Sequence, residues 1–126
     1  MARDEISLQL PVIENTDSAG VLTVVPQTVN VANGITIKGA MECLNNTLFI
    51  IINNTASSDI SVILKKGDRY PNSMLGDLNV LISGSGITAI QIQDPARFVN
   101  WSGAIDIDFG TGFAGTIYAI GKKVGL

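Results

Sequence analysis

The sequence predicts an all-β protein, an antiparallel β-sandwich of jelly-roll type with about eight short strands. Three observations carry this prediction. Short β-branched and apolar segments recur through nearly the whole 126-residue chain, and glycine, asparagine, aspartate and proline separate them at regular spacing. No stretch of about ten or more residues shows helical periodicity. Parallel strands would need helical crossovers that the chain lacks. A closed barrel is the main architectural alternative, because both solutions protect sheet edges.

The elements follow in order. From Glu5 to Val12, the apolar Ile6, Leu8, Leu10 and Val12 alternate with the polar Ser7 and Gln9, giving a half-buried strand. Pro11 has no amide hydrogen, so that strand ends there or lies at an edge. A polar loop runs over 14–20, and the apolar stretches 21–25 and 29–31 flank Pro26 as extended segments with a bend between them. Residues 1–30 thus read as an extended N-terminal segment able to act as an exchanging arm, and residues 31–126 as the sandwich domain. The four apolar residues of the first strand are the candidate partner-contact surface. Strand addition to a neighbouring chain would satisfy their backbone donors and bury their shared face in one step. An edge strand on the segment's own domain is the competing expectation.

Asn33-Gly34 marks a turn, since both residues tolerate positive φ, with strand expected at Ile35, Ile37 and again over 41–44. Residues 47–53 and 60–64 read as an antiparallel hairpin around the polar turn 54–59. Residues 78–82 and 87–92 form a second around Ser83-Gly84-Ser85-Gly86, and 104–109 and 116–120 a third around 110–115. Asp94-Pro95 can open a helical turn, with Asp94 as its cap and Pro95 at the first position.

Composition limits function. Charged residues make up 15% of the chain, against roughly 25% in ordinary domains, and the mean hydropathy is +0.36. So little polar material implies that part of the surface is covered by another protein, and a homo-oligomer is expected. The mass of 13.3 kDa fits one domain, which at this size can bury about two-thirds of its surface without a metal or disulfide. Cys43 is the sole cysteine and cannot form an internal bridge. Residues 1–20 contain no basic stretch followed by an apolar run, so no secretory start is expected and the chain reads as made in a reducing cytoplasm. The longest apolar run, 48–52, is far shorter than the roughly 20 residues of a membrane-spanning helix.

Net charge is -3. The basic residues Arg3, Lys38, Lys65, Lys66, Arg69, Arg97, Lys122 and Lys123 are scattered, leaving no stripe for a phosphate backbone to follow, and nucleic acid is not an expected partner. The two lysine pairs read as solvated strand ends that discourage stray pairing.

Catalytic chemistry is sparse. With no histidine, neither a Ser-His-Asp nor a Cys-His arrangement can form, and Cys43 reads as a small strand or core residue. Asp106 and Asp108 lie two apart on one strand and point to the same face. With Asp68 or Asp77 they are a candidate cation site, and as a pair they are candidate glycosidase carboxylates. The simpler reading makes them the solvent face of a strand whose Ile105, Ile107 and Phe109 enter the core. Calcium takes six to eight oxygens and no calcium-loop spacing is present, so no metal or other cofactor is expected. The Ser-Gly-Ser-Gly run lacks the Gly-Lys-Ser/Thr ending and helix of a phosphate loop. Asn45, Asn53 and Asn100 open Asn-x-Ser/Thr triplets that read as turn chemistry. Phe98 and Trp101 either anchor an interface or close one end of the core.

Over 45–123 the chain resembles a known family. The runs "NNTLFIIINNTASSDISVILKKGD" and "GDLNVLISGSGITAIQIQDPARFVNWSGAIDIDFGTGFAGTIYAI" are similar to small structural proteins of tailed-bacteriophage heads. The shared pattern is an apolar strand ending in asparagine (48–53), a Val/Ile strand (60–64), Gly76-Asp77-Leu78, an apolar strand (87–92), a Pro-x-Arg-Phe turn (95–98) and two glycine-rich closing strands (105–120). The resemblance implies a head decoration, or cement, protein that sits on the capsid exterior and clamps neighbouring shell subunits. Its partner would be the major capsid protein, its location the virion after synthesis in the host cytoplasm, and its oligomer a trimer, because capsids offer threefold positions. A receptor- or carbohydrate-binding β-sandwich of a tail or host-attachment structure is the alternative.

Overall fold

A computed structural model of the chain describes residues 2–10, 12–13, 20–43 and 46–122. Among the described residues there are eleven strands: β1 (Asp4–Ser7), β2 (Val12–Ile13), β3 (Gly20–Val21), β4 (Gln27–Thr28), β5 (Ile35–Lys38), β6 (Leu48–Asn54), β7 (Ile60–Leu64), β8 (Leu78–Ile82), β9 (Gly86–Ile92), β10 (Ile105–Phe109) and β11 (Gly115–Ile120). The helical pieces among the described residues are 3-10 turns at Ala40–Glu42, Asn72–Leu75 and Pro95–Arg97. The last is the turn expected at Asp94-Pro95, and the Asp94 carboxylate accepts the Ala96 amide at 3.1 Å.

One sheet has the order β1-β5-β10-β7-β8 and the other β4-β11-β6-β9, while β2 and β3 form a separate pair. The pairings β4·β11, β5·β10, β6·β9 and β7·β8 are all antiparallel. β4 to β11 therefore form one long ribbon, folded back on itself at 65–77 and rolled so that successive rungs fall in alternate sheets. That is the jelly roll, and the predicted all-β sandwich is the observed fold.

The rolled ribbon corrects the expected strand pairs. β6 and β7, β8 and β9, and β10 and β11 are not hairpins: the members of each pair lie in opposite sheets, joined by corners at 55–59, 83–85 and 110–114. The one ribbon hairpin is β7–β8, around the long segment 65–77. Alternation reports which face of a strand is buried, and both arrangements bury the same face. Residues 41–44 are also corrected. Gly39 at φ +84 turns the chain out of β5 into the 3-10 turn 40–42, and residue 44 lies outside the described residues.

The core is the alternation of both sheets turned inward. Ile35 and Ile37 of β5, Val62 and Leu64 of β7, and Ile105 and Ile107 of β10 face Leu48, Ile50 and Ile52 of β6 and Ile117 of β11, all with no exposure. Each such side chain contributes about 1.5–3 kcal/mol relative to leaving it exposed. Cys43 is buried against this core, and a Cβ on Gly121 would come within 2.5 Å of its sulfur. Gly115, at φ +150, passes so close to Asn53 that a Cβ there would lie 1.8 Å from the Asn53 carbonyl oxygen.

The N-terminal residues complete this sandwich. β1 adds in parallel to β5, with Ile6 opposite Ile37. Leu8 donates its amide to the Lys38 carbonyl in the first sheet (3.2 Å), and Gln9 donates to Ala119 in the second (2.9 Å). Ile6 and Leu8 pack on the core, so residues 4–9 staple the two sheets along one flank. The Gln9 side chain then clamps the Val25 backbone with two bonds of 3.0 Å. The boundary expected at residue 30 falls between β4 and β5, and both strands belong to the sandwich.

Candidate interaction surface

Consecutive antiparallel rungs put the connections into two groups. At one end lie 29–34, 55–59, 83–85 and 110–114, and at the other 39–43 with 46–47, 65–77 and 93–104.

The first end is short, polar and closed. Asn54, at the end of β6, is fully buried. Its Nδ2 donates to the carbonyls of Ser58 and Ser83, each at 3.2 Å, and its Oδ1 accepts the Ala56 amide at 3.1 Å. One side chain thus ties two sheet-crossing corners together. The Ser85 amide adds a bond to Ala56 (2.8 Å) and the Gly84 amide one to the Asp59 carboxylate (2.9 Å). A Cβ on Gly84 would meet the Ser57 carbonyl oxygen at 2.5 Å. The glycine-serine run is thus a corner docked on its neighbour, not the hairpin loop the sequence suggested.

The second end is larger and carries apolar side chains into solvent. Tyr70, Met74, Leu75 and Trp101 are each 70–80% exposed, and Met41 is also exposed. The loops beneath are held firmly. Gly67 and Asp68 donate their amides to the carbonyls of Arg97 and Val99 (2.8 and 3.1 Å), and the Asp68 carboxylate accepts the Trp101 amide at 2.9 Å. Arg97 lies over the Phe98 ring, 5.0 Å from its centroid, and reaches the carbonyls of Gly76 and Leu75 at 3.2 and 3.3 Å. Arg69 lies 5.5 Å from the centre of the Trp101 ring, a stacking that fixes the indole while leaving it in water. Phe98, by contrast, is buried. The two aromatics that the sequence left unassigned therefore have different roles: Phe98 closes the core and Trp101 stands on the outer surface.

Asp77 locks the base of the ribbon tip, accepting the Lys66 amide at 2.7 Å and the Lys65 ammonium at 2.9 Å. These contacts, the Lys66 backbone bond foremost, hold its carboxyl below the ordinary carboxylate range. A depressed folded-state pKa stabilises above the unfolded value and is lost as pH falls through the folded one. The site is solvated, so the effect is small.

Asp106 and Asp108 share the outer face of β10, as expected, and have partners there. Arg3 bonds to Asp108 and sits 3.9 Å from Asp106, while Thr36 donates its hydroxyl to Asp106 at 2.7 Å. Asn100 lies 3.4 Å from the same carboxylate, and its Oδ1 accepts the amides of Ser102 and Ala104 at 2.9 and 3.1 Å. It is a turn residue. Among the described residues no group of three or more histidine, cysteine or acidic side chains could hold a metal, and Asp68 and Asp77 are engaged at the loop end. Chelation of divalent ions is expected to leave the melting temperature unchanged. A fall of more than a few degrees that calcium restores would overturn this, because a ligand bound only to the native state stabilises by mass action.

Of the candidate contact residues, Ile6 and Leu8 lie on their own core, Leu10 is half-buried, and Val12 pairs with Val21 between β2 and β3. The sequence reading missed Tyr70, Met74 and Leu75. Their one visible signal is apolar side chains inside a turn-rich segment that no strand absorbs. No protein-family model, no curated protein and no solved structure matches this chain.

Proposed function

We propose that this protein is a non-enzymatic structural module that works by docking: a decoration or cement protein on the exterior of a tailed-phage capsid, stabilising the shell by the binding free energy it contributes between neighbouring subunits. The observation that carries this is the loop end, where Met41, Tyr70, Met74, Leu75 and Trp101 stand in solvent on loops held rigid by Arg97, Asp68 and Asp77. Exposed aromatic and methionine side chains on a pre-organised base are what a protein interface uses as anchors. The low charge of the chain and the strand-and-turn pattern of 45–123 support the same reading. The fold alone supports no particular function. The partner is the major capsid protein, the assembled form a homo-oligomer with a trimer favoured, and the location the virion exterior.

Electron microscopy of particles assembled with and without the chain tests the proposal directly. Tyr70→Ala and Trp101→Ala are each expected to weaken decoration at least tenfold, the scale of an interface anchor, with melting temperatures close to that of the parent because both side chains are already solvated. Normal decoration by both variants would refute the docking surface. Glycan binding that disappears with Trp101→Ala would instead support a carbohydrate-binding module.

A further inference from the structure

On one flank of the sandwich the two sheets end in β8 and β9. Among the described residues β8 pairs only with β7 and β9 only with β6, so each presents the unpaired donors and acceptors of its outer side. Monomeric proteins blunt such edges with charge, proline or bulges. The opposite flank follows that rule: β1 carries Asp4 and Glu5, Glu5 is paired to Lys38 at 3.0 Å, and Pro26 directly precedes β4. The β8–β9 flank breaks it. Residues 78–92 contain no Lys, Arg, Asp, Glu or Pro, both registers run without a bulge, and Leu81 and Ile87 are 66% and 70% exposed. Toward the loop end of the same flank a groove of about 270 Å³ is lined by Leu78, Ile90, Ile92 and Phe98 together with the charged Asp94 and Arg97.

We infer that the β8–β9 flank is where a second copy of this chain docks. An uncharged edge favours an uncharged partner, because a charged strand laid on it would lose hydration with no opposite charge to compensate. This flank meets its own requirement: each copy supplies a neutral edge with open backbone groups, bordered by Leu81 on the outer face of one sheet and Ile87 on the outer face of the other. The Asn54-tied corner at 83–85 holds both strands in place beforehand, which lowers the entropic cost of association. The inference concerns the isolated chain and goes beyond the docking reading.

Sedimentation of the purified chain from about 1 to 100 µM tests it, since self-association depends on concentration. The parent is expected at a whole multiple of 13.3 kDa, and that multiple separates a twofold pair from a closed ring. Leu81→Lys and Ile87→Lys place charge at solvated positions of the lone chain. They are expected to keep the parent's circular dichroism and shift at least tenfold toward the monomer, whereas Trp101→Ala leaves the mass unchanged. A parent that stays at 13.3 kDa throughout, or lysine variants that both retain the parent mass, would overturn the inference. Should a lysine variant misfold, hydrogen exchange on the parent decides: the outer amides of β8 and β9 gain protection with concentration, and no gain refutes it. With no shell present, a chain that self-associates yet fails to decorate a capsid refutes only the proposed function.

Discussion

Asn54→Ala is expected to lower stability by about 3 kcal/mol, a fall in melting temperature of roughly 10–15 °C for a domain of this size. The side chain is fully buried and bonds to Ser58, Ser83 and Ala56, so its removal leaves two carbonyls and one amide unpaired at the point where two corners cross between sheets. Asn54→Asp sharpens the test. It keeps the acceptor for Ala56 but turns an oxygen toward the two carbonyls that the Asn54 amide now serves. Burial and those carbonyls would raise its folded-state pKa, so the variant should regain stability as pH falls and lose it as pH rises through that value. Thermal unfolding across pH measures both effects. A loss below about 0.5 kcal/mol for Asn54→Ala, within the range of an ordinary surface change, would show that the corners do not depend on this residue.

Removal of residues 1–9 is expected to have an effect of similar or greater size. Ile6 and Leu8 are partly buried on the core, which at half of a full side-chain burial amounts to about 2 kcal/mol for the pair. The bonds of Leu8 to Lys38, Gln9 to Ala119 and Gly121 to Gln9 add about 1 kcal/mol each. A total near 5 kcal/mol is a large part of the 5–15 kcal/mol that typically separates folded from unfolded domains. The truncated chain also uncovers the edge of β5, so aggregation is expected alongside the lower melting temperature. A truncated body that melts like the parent and loses only its assembly would show that these residues serve as an arm.

These two sites differ in how far the sequence revealed them. The alternation of residues 5–12 made the strand at Asp4–Ser7 visible, and Pro11 left it either ending there or lying at an edge. Its partner was not visible. Nothing local records that Leu8 bonds to one sheet and Gln9 to the other, because that depends on where β5 and β11 end in space. Asn54 was read as the first residue of a polar turn, which describes its place in the chain and misses its burial. A side chain that bonds to a residue 29 positions away leaves no mark in a short window.

The strands of the ribbon show the same division. The burial of alternate residues in β6 and β10 follows from the two-residue period of any half-buried strand, and the glycine and asparagine turns punctuate it, so the all-β class and most strand positions were determined by sequence alone. Tertiary structure decided which strand lies beside which. A corner of three to five residues at 55–59, 83–85 or 110–114 is as short as a hairpin loop and leads to another strand with the same apolar face buried, so local pattern cannot separate a hairpin from a crossing between sheets. The rolled ribbon selects the crossings, and in doing so gathers the polar corners at one end and Tyr70, Met74, Leu75 and Trp101 at the other. Composition implied a covered surface, but only the packing of distant segments determines which apolar side chains remain in water.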